Sequence, residues 1–333
     1  MKRFFVLCLV LWSAIYVIPL ISISKTDDVP ILPLPVDNSE ENDENMGDGN
    51  IKVTLSTGGK TEEIALSDYL EGVVAAEMPA LFPEEALKAQ AVAARTYTMK
   101  KLASAPASEH NGAAVCDNPA HCKAYKPIST FASQWNDESE NYTAKIKRAV
   151  AETDGEIILY NGEPISAVFH STSSGMTENA KDVWGGDAPY LVSVKSFGDE
   201  ESPRFEEEKS FSCDEFCELF LKKYPTAKFD ENPENWVSKI SRTEAGGIKE
   251  ISIGEVAVKG SDLRTIYGLN STNFTLLYND GQMNFKTKGY GHGVGMSQYG
   301  ARALALSGKT YEEILKTYYT GVELGKINQK ASS

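Results

Sequence analysis

The sequence predicts an α+β fold, with a helical segment in front of a mostly β body that carries inserted helices. Three observations lead there. Residues 68–102 hold two Ala- and Leu-rich stretches, DYLEGVVAAEM and EEALKAQAVAARTYTMKKLA, made of good helix formers. Most of the β-like runs lie after residue 155 and are short. Residues 156–160 and 164–170 flank Asn161-Gly162, a strong hairpin signal.

Taken in order, β-like runs at 51–56 and 61–66 precede the first helix, with Ser67 as a candidate N-cap and Pro79 as its stop. Pro83 suits the first turn of the second helix. Residues 105–135 lack periodicity, and a helix fits 139–152. Beyond the hairpin, strands are expected near 190–195, 236–243, 248–259, 273–278 and 282–288. Helices are expected at 211–223, 262–268, 297–307 and 310–318.

The chain has 333 residues, a net charge of −14 and a globular composition. Such a balance argues against a basic nucleic-acid binder, so no nucleic-acid partner is expected. Residues 4–23 form an uncharged apolar run behind Lys2 and Arg3, long enough to span a bilayer with the basic flank inside. A cleaved signal peptide is the competing reading, with Ser22 and Ser24 as a small-x-small site. Either way, the rest of the chain lies outside the cytoplasm. Residues 27–49 contain eight acids and no Lys or Arg, with Pro30, Pro33 and Pro35 among them, and read as a disordered linker. The expected organisation is therefore an anchor at 1–24, a linker at 25–50, a two-lobed ectodomain at 51–325 and a tail at 326–333.

Glu77 ends an otherwise apolar helix. A carboxyl against apolar surface holds its proton more tightly, as a general acid at neutral pH must. The plain alternative is a solvated Glu in a last helical turn. Lys88 and Arg95, seven residues apart, fall about 20° from each other on one helix face, where they could meet a carboxylate-bearing ligand or snorkel into water. Glycosidases normally use two carboxyls, yet Glu71 and Asp68 lie about 120° and about 180° around the helix from Glu77. Either a distant acid assists, or one carboxyl suffices because the sugar's own hydroxyl is the nucleophile.

His110, Cys116, His121 and Cys122 fall within thirteen residues, at a spacing that matches no common zinc-finger pattern and requires adjacent His121 and Cys122 both to turn inward. Two imidazoles and two thiolates suit tetrahedral zinc in a closed, structural shell; a Cys116–Cys122 disulfide is the alternative in an exported domain. Cys213 and Cys217 share one face of a helix-like stretch and read as partly apolar packing positions. In GYGHGVGM, Gly289, Gly291, Gly293 and Gly295 alternate. As a strand this would bare one face for a glycan or for tight packing. FHSTSSG (169–175) is rich in hydroxyls but lacks a nucleophile elbow.

Together DYLEGVVAAEMPALFPEEALKAQAVAARTY, FHSTSSG, WGGDAPYL and GYGHGVGMSQYGA resemble, in this order, the stage II sporulation protein D family, over residues 51 to about 320. The resemblance implies a lytic transglycosylase that cuts peptide-stripped peptidoglycan strands between N-acetylmuramic acid and N-acetylglucosamine, leaving 1,6-anhydro ends. It implies a place in the septal space during forespore engulfment, beside stage II sporulation proteins P and M. Carried over by motif, Glu77 is the catalytic acid, and Lys88, Arg95 and Tyr190 are activity-linked positions that would bind substrate. Some clostridial members hold structural zinc with a His/Cys set, which His110, Cys116, His121 and Cys122 match. Proteins sharing this domain also include a non-catalytic enhancer of a cell-wall amidase, the alternative function.

Overall fold

The computed structural model describes residues 47–104, 110–119 and 121–327. The apolar run at 4–23, most of the linker and the last six residues lie outside the described residues. Among those described, no helix is long and apolar enough to cross a membrane.

The fold is α+β, with small sheets and two hydrophobic cores. The first core is organised by helices. β1 (Lys52–Thr57) and β2 (Lys60–Ala65) form an antiparallel hairpin that feeds α1 (Leu66–Glu77). Ala65, not Ser67, stands at the N-cap and offers no side-chain acceptor, because the chain enters the helix directly from the strand. α1 ends where Met78 turns extended before Pro79, since proline disfavours helical backbone in the residue before it. α2 (Glu84–Leu102) follows, with Pro83 at its N-cap position. The faces of α2 are largely buried, which small Ala side chains permit: α1, α3 (Ser139–Glu152), α6 (Gln298–Leu306) and α7 (Tyr311–Tyr318) all pack against it.

The aperiodic stretch after α2 contributes a two-residue strand, β3 (Val115–Cys116), which pairs in parallel with β1. Asn161 and Gly162 both have positive φ (52° and 79°), giving a type I′ turn between β4 (Glu156–Tyr160) and β5 (Glu163–Pro164). β14 (Glu323–Lys326) closes that sheet from the other end of the chain.

Residues 206–288 build the second core. β7 (Glu206–Ser212), β11 (Phe274–Asn279) and β12 (Gln282–Lys288) form one sheet in the order β11-β12-β7. β8 (Val237–Arg242), β9 (Ile248–Ile253) and β10 (Val256–Lys259) form another. α4 (Cys213–Lys223) and α5 (Gly260–Tyr267) supply Phe216, Phe220, Leu263 and Tyr267 to an aromatic cluster with Phe285 and Trp236. Cys213 and Cys217 are free thiols packed half-buried against this core. The sequence predicts no strand at 206–212, where exposed positions alternate with half-buried ones but the first four residues are all charged. Conversely, residues 190–195 hold only an isolated bridge, Met176 to Lys195.

One residue assigned to the linker belongs to the folded body. Asp48 opens a single 3₁₀ turn (Asp48–Asn50) and is 1% exposed. Its charge has a buried partner, and an acidic run in sequence gives no sign of that.

Candidate active site and metal centre

Glu77, the last residue of α1, is half-buried. The Ala124 N–H donates to its Oε1 at 2.7 Å. Gln298, first residue of α6, stands near the carboxyl and lowers its pKa, and its Nε2 donates to Gln90 Oε1 at 3.2 Å. Burial pushes the Glu77 pKa up. The Ala124 N–H, the nearby Lys123 charge and Gln298 oppose the shift only in part.

Lys123 is itself 7% exposed. Its ammonium stands 3.7 Å from the centre of the Phe169 ring and 4.4 Å from that of Tyr97, an arrangement in which ring faces stabilise the cation. Burial nevertheless brings its pKa down to about 8. β6 (Phe169–His170) pairs with β13 (Met296–Ser297) and carries the site onward. Burial lowers His170 to about 4 and His292 well below the usual imidazole range, so both rings are neutral at neutral pH. His292 lies 5.1 Å from Trp184, an indole 53% exposed. The result is a protonatable carboxyl beside a wall of aromatic and neutral imidazole rings. Such a site can donate a proton to a neutral, sugar-like ligand.

His110, Cys116, His121 and Cys122 converge beside it. Their ligand atoms all lie within 4.8 Å of one another. Cys122 Sγ is 3.3 Å from His110 Nε2, and Cys116 Sγ is 3.8 Å from His121 Nδ1. Four donors bonded to one ion at about 2.0–2.3 Å sit roughly 3.3–3.8 Å apart; both Cys–His separations meet this, while His110 Nε2 and His121 Nδ1, at 2.6 Å, would part to admit an ion, so the donor set suits a metal. Cys116 and Cys122 are free thiols, with no disulfide between them. Two thiolates would neutralise a divalent ion, leaving burial as the main influence on Glu77. The cluster connects to Glu77 through covalent sequence: Cys122, Lys123 and Ala124 are consecutive.

Lys88, Arg95 and Tyr190 sit elsewhere. Lys88 and Arg95 do share a face of α2, but that face meets the end of α3. Lys88 pairs with Glu85 (3.0 Å) and Glu152 (2.6 Å). Arg95 is 0% exposed. Its Nε and Nη2 grip Asp48 at 2.6–2.8 Å, while Nη1 and Nη2 reach Thr153 Oγ1 and the carbonyls of Val150 and Glu156. A guanidinium so enclosed has every donor engaged within the fold, in a buried ion pair with Asp48. The Tyr190 hydroxyl accepts from the Ser166 N–H (3.1 Å), and its ring lies 5.5 Å from Tyr160. Among the described residues, no hydrogen bond or ion pair joins any of these three to Glu77.

The alternating glycines are not a strand either. All four have positive φ, between 73° and 121°. They lie against the hydroxyl-rich run: Cβ atoms would fall 2.9 Å from Thr172 O at Gly289, 2.8 Å from His170 Cβ at Gly291 and 2.1 Å from Val168 O at Gly295. Thr172 and Tyr290 exchange backbone hydrogen bonds of 3.0 and 2.8 Å. The two motifs are one packed unit, and tight packing is what the glycines serve. Lys123, Gln298 and Trp184 escaped sequence reasoning. Only the place of Lys123 directly after a candidate ligand offered a signal.

The matching family model is described as "Stage II sporulation protein" and covers residues 56–160, which hold Glu77 and all four metal-cluster residues. The chain is 40% identical over 280 residues to stage II sporulation protein D of Bacillus subtilis (strain 168), covering 84% of this chain and 80% of that protein. It is 38% identical to its counterpart in Bacillus amyloliquefaciens, over 84% and 79%. A third relative, the amidase enhancer of Bacillus subtilis (strain 168), is 31% identical over 77% of this chain but only 40% of its own length. With that identity sustained over four-fifths of a characterised relative, this chain belongs to the stage II sporulation protein D family.

Proposed function

We propose that the chain is a lytic transglycosylase acting on peptidoglycan glycan strands, preferably peptide-stripped, during sporulation. The reading rests above all on Glu77, a half-buried carboxyl whose pKa desolvation raises. No other carboxyl is among the groups that act on it, so a mechanism with one acid suits the site better than one with two. Glu77 protonates the glycosidic oxygen between N-acetylmuramic acid and N-acetylglucosamine. The C6 hydroxyl of the muramoyl unit attacks C1, and the Glu77 carboxylate takes that hydroxyl's proton. The product is a 1,6-anhydro end, and the acid is regenerated without water. The Ala124 N–H holds the carboxyl in place, and Trp184 offers an exposed ring for a sugar face.

The metal in this reading is zinc. His110, Cys116, His121 and Cys122 would hold it in a closed shell that fixes the segment leading to Ala124, and the proton chemistry stays with Glu77. The apolar run at 4–23 would anchor the protein in the membrane, with the folded part in the septal space beside stage II sporulation proteins P and M.

Digestion of denuded glycan strands tests the mechanism. Anhydro ends, absent with Glu77→Gln, are the expected products; reducing ends, one water heavier, would refute it. The 31% identity to an amidase enhancer supports a second reading, a glycan-binding stimulator without turnover. It requires that no strand is cut and that Glu77→Gln leaves amidase stimulation unchanged.

A further inference from the structure

α2 carries a buried amide that its own surroundings do not call for. Gln90 is 0% exposed, and its neighbours along the same helical stripe, Ala86, Leu87, Ala93 and Ala94, are apolar and equally buried. An apolar side chain would complete that stripe, because a buried amide is costly to the fold unless its hydrogen bonds are met. Here they are met only in part. Gln90 Oε1 accepts from Gln298 Nε2 at 3.2 Å, across 208 positions of sequence, while Gln90 Nε2 is buried without a partner. A residue that strands one of its donors serves stability poorly, so its use lies in the one bond it makes.

That bond leads to the candidate active site. Gln298 is 5% exposed and follows Ser297, whose hydroxyl caps α6 by accepting from the Gly300 N–H. Ser297 and Met296 pair with His170 and Phe169 of β6. The Phe169 ring faces the Lys123 ammonium, and Ala124, next in the chain, donates to Glu77. Half a turn of the Gln298 amide would exchange its donor and acceptor ends, which have nearly the same shape. An acceptor at 3.2 Å prevents that turn: it engages one N–H of Nε2 and leaves the other free. Gln298 acts on Glu77 in the sense of a donor, as do the Ala124 N–H and the Lys123 charge, and Tyr69 of α1 feels the Glu77 charge in turn. We infer that Gln90 is a positioning residue for the proposed cleavage: it keeps the N–H end of the Gln298 amide toward the carboxylate that Glu77 becomes on giving up its proton. This inference deepens the transglycosylase reading and rests on it for the part played by Glu77.

The test compares the full chain with Gln90→Met, Gln298→Met and the double variant, since methionine fills a similar volume without the amide. Calorimetry reads the unfolding midpoint. Carbon-13 NMR of glutamate-labelled protein reads the Glu77 titration, its signal identified by its loss in Glu77→Gln. Digestion of denuded strands reads kcat and KM. In Gln90→Met the unfolding midpoint should hold, because the stranded Nε2 disappears together with the lost bond. The Glu77 titration should move to higher pH and kcat should fall about tenfold, the scale of one hydrogen bond to a charged group. KM should stay, since a residue 0% exposed meets no substrate. In the Gln298→Met background, Gln90→Met should change neither the titration nor kcat further. A Glu77 titration unmoved by Gln90→Met overturns the assignment, as does an equal effect of Gln90→Met in the Gln298→Met background. An unfolding midpoint that falls along with activity also overturns it and makes Gln90 a packing residue. Strands left whole by the unaltered protein would refute the transglycosylase, while the titration, which needs no turnover, still decides Gln90. Strands cut at a Glu77 titration that Gln90→Met leaves in place would do the reverse.

Discussion

Arg95 offers the sharpest separation between a structural and a ligand-binding role. Arg95→Met removes three short bonds to Asp48, including Nη2–Oδ2 at 2.6 Å, and leaves the Asp48 carboxylate 1% exposed with no counter-charge. Only the Gly155 N–H, at 3.3 Å, still donates to that carboxylate from among its recorded partners. Breaking a buried pair from one side costs ~3–5 kcal/mol, and a folded unit of this size loses roughly 2 °C of midpoint per kcal/mol, so the midpoint should fall by roughly 6–10 °C. Asp48→Leu should do much the same by stranding the guanidinium. Replacing both at once, with Asp48→Leu and Arg95→Met, should recover most of the loss, because the desolvation of two ions is then no longer required. Differential scanning calorimetry of the four proteins reads the cycle, and glycan titration below the lowest midpoint reads binding. An Arg95→Met protein with an unchanged midpoint and abolished glycan binding would refute the structural assignment and return Arg95 to the substrate.

Two further outcomes follow from the site. Because burial raises the Glu77 pKa in the folded chain above its unfolded value, the folded state holds this proton more tightly. Its contribution to stability is full at low pH and fades as pH rises through the unfolded and then the folded value. Glu77→Gln should therefore raise the midpoint at neutral and alkaline pH but not at pH 3, while strand cleavage by the unaltered protein should fall along a single alkaline limb lying above the ordinary carboxylate range. Removing the metal, by chelation or by Cys122→Ser, should make the segment around 110–125 protease-sensitive. It should also slow cleavage gradually as the Ala124 contact loosens; immediate loss of turnover under chelator in a still-folded protein would instead make the metal catalytic, and elemental analysis of the purified chain checks for zinc at about one ion per chain.

The elements most legible in the sequence were those whose signal is local. α2 and α3 carry helix-forming runs, and the turn at Asn161-Gly162 needs positive φ at two successive residues, a demand few residue pairs meet. The strand β7 was hidden because four consecutive charged residues, Glu206 to Lys209, on a half-buried edge look like a solvated loop. The glycine motif misled for a related reason: alternation suggests a strand, yet at each glycine the segment 168–178, by its backbone or its side chains, leaves no room for a Cβ. Glu77 and the His/Cys set were visible because each is a chemical exception in its surroundings, a carboxyl closing an apolar helix and four ligands in an aperiodic segment.

Sequence by itself determined the α+β class, the helix that ends at Glu77 and the residue types able to hold a metal, since propensity, capping and ligand chemistry act over a few neighbouring residues. Only the tertiary structure decided which charges meet. It buried Arg95 against Asp48, 47 positions away. It set Lys88 between Glu85 and Glu152, and brought Lys123, Ala124 and Gln298 to Glu77 in place of the two cations that share its neighbouring helix. Electrostatic partners are chosen by distance and burial in space. Helical periodicity says which residues share a face and nothing about what that face is packed against.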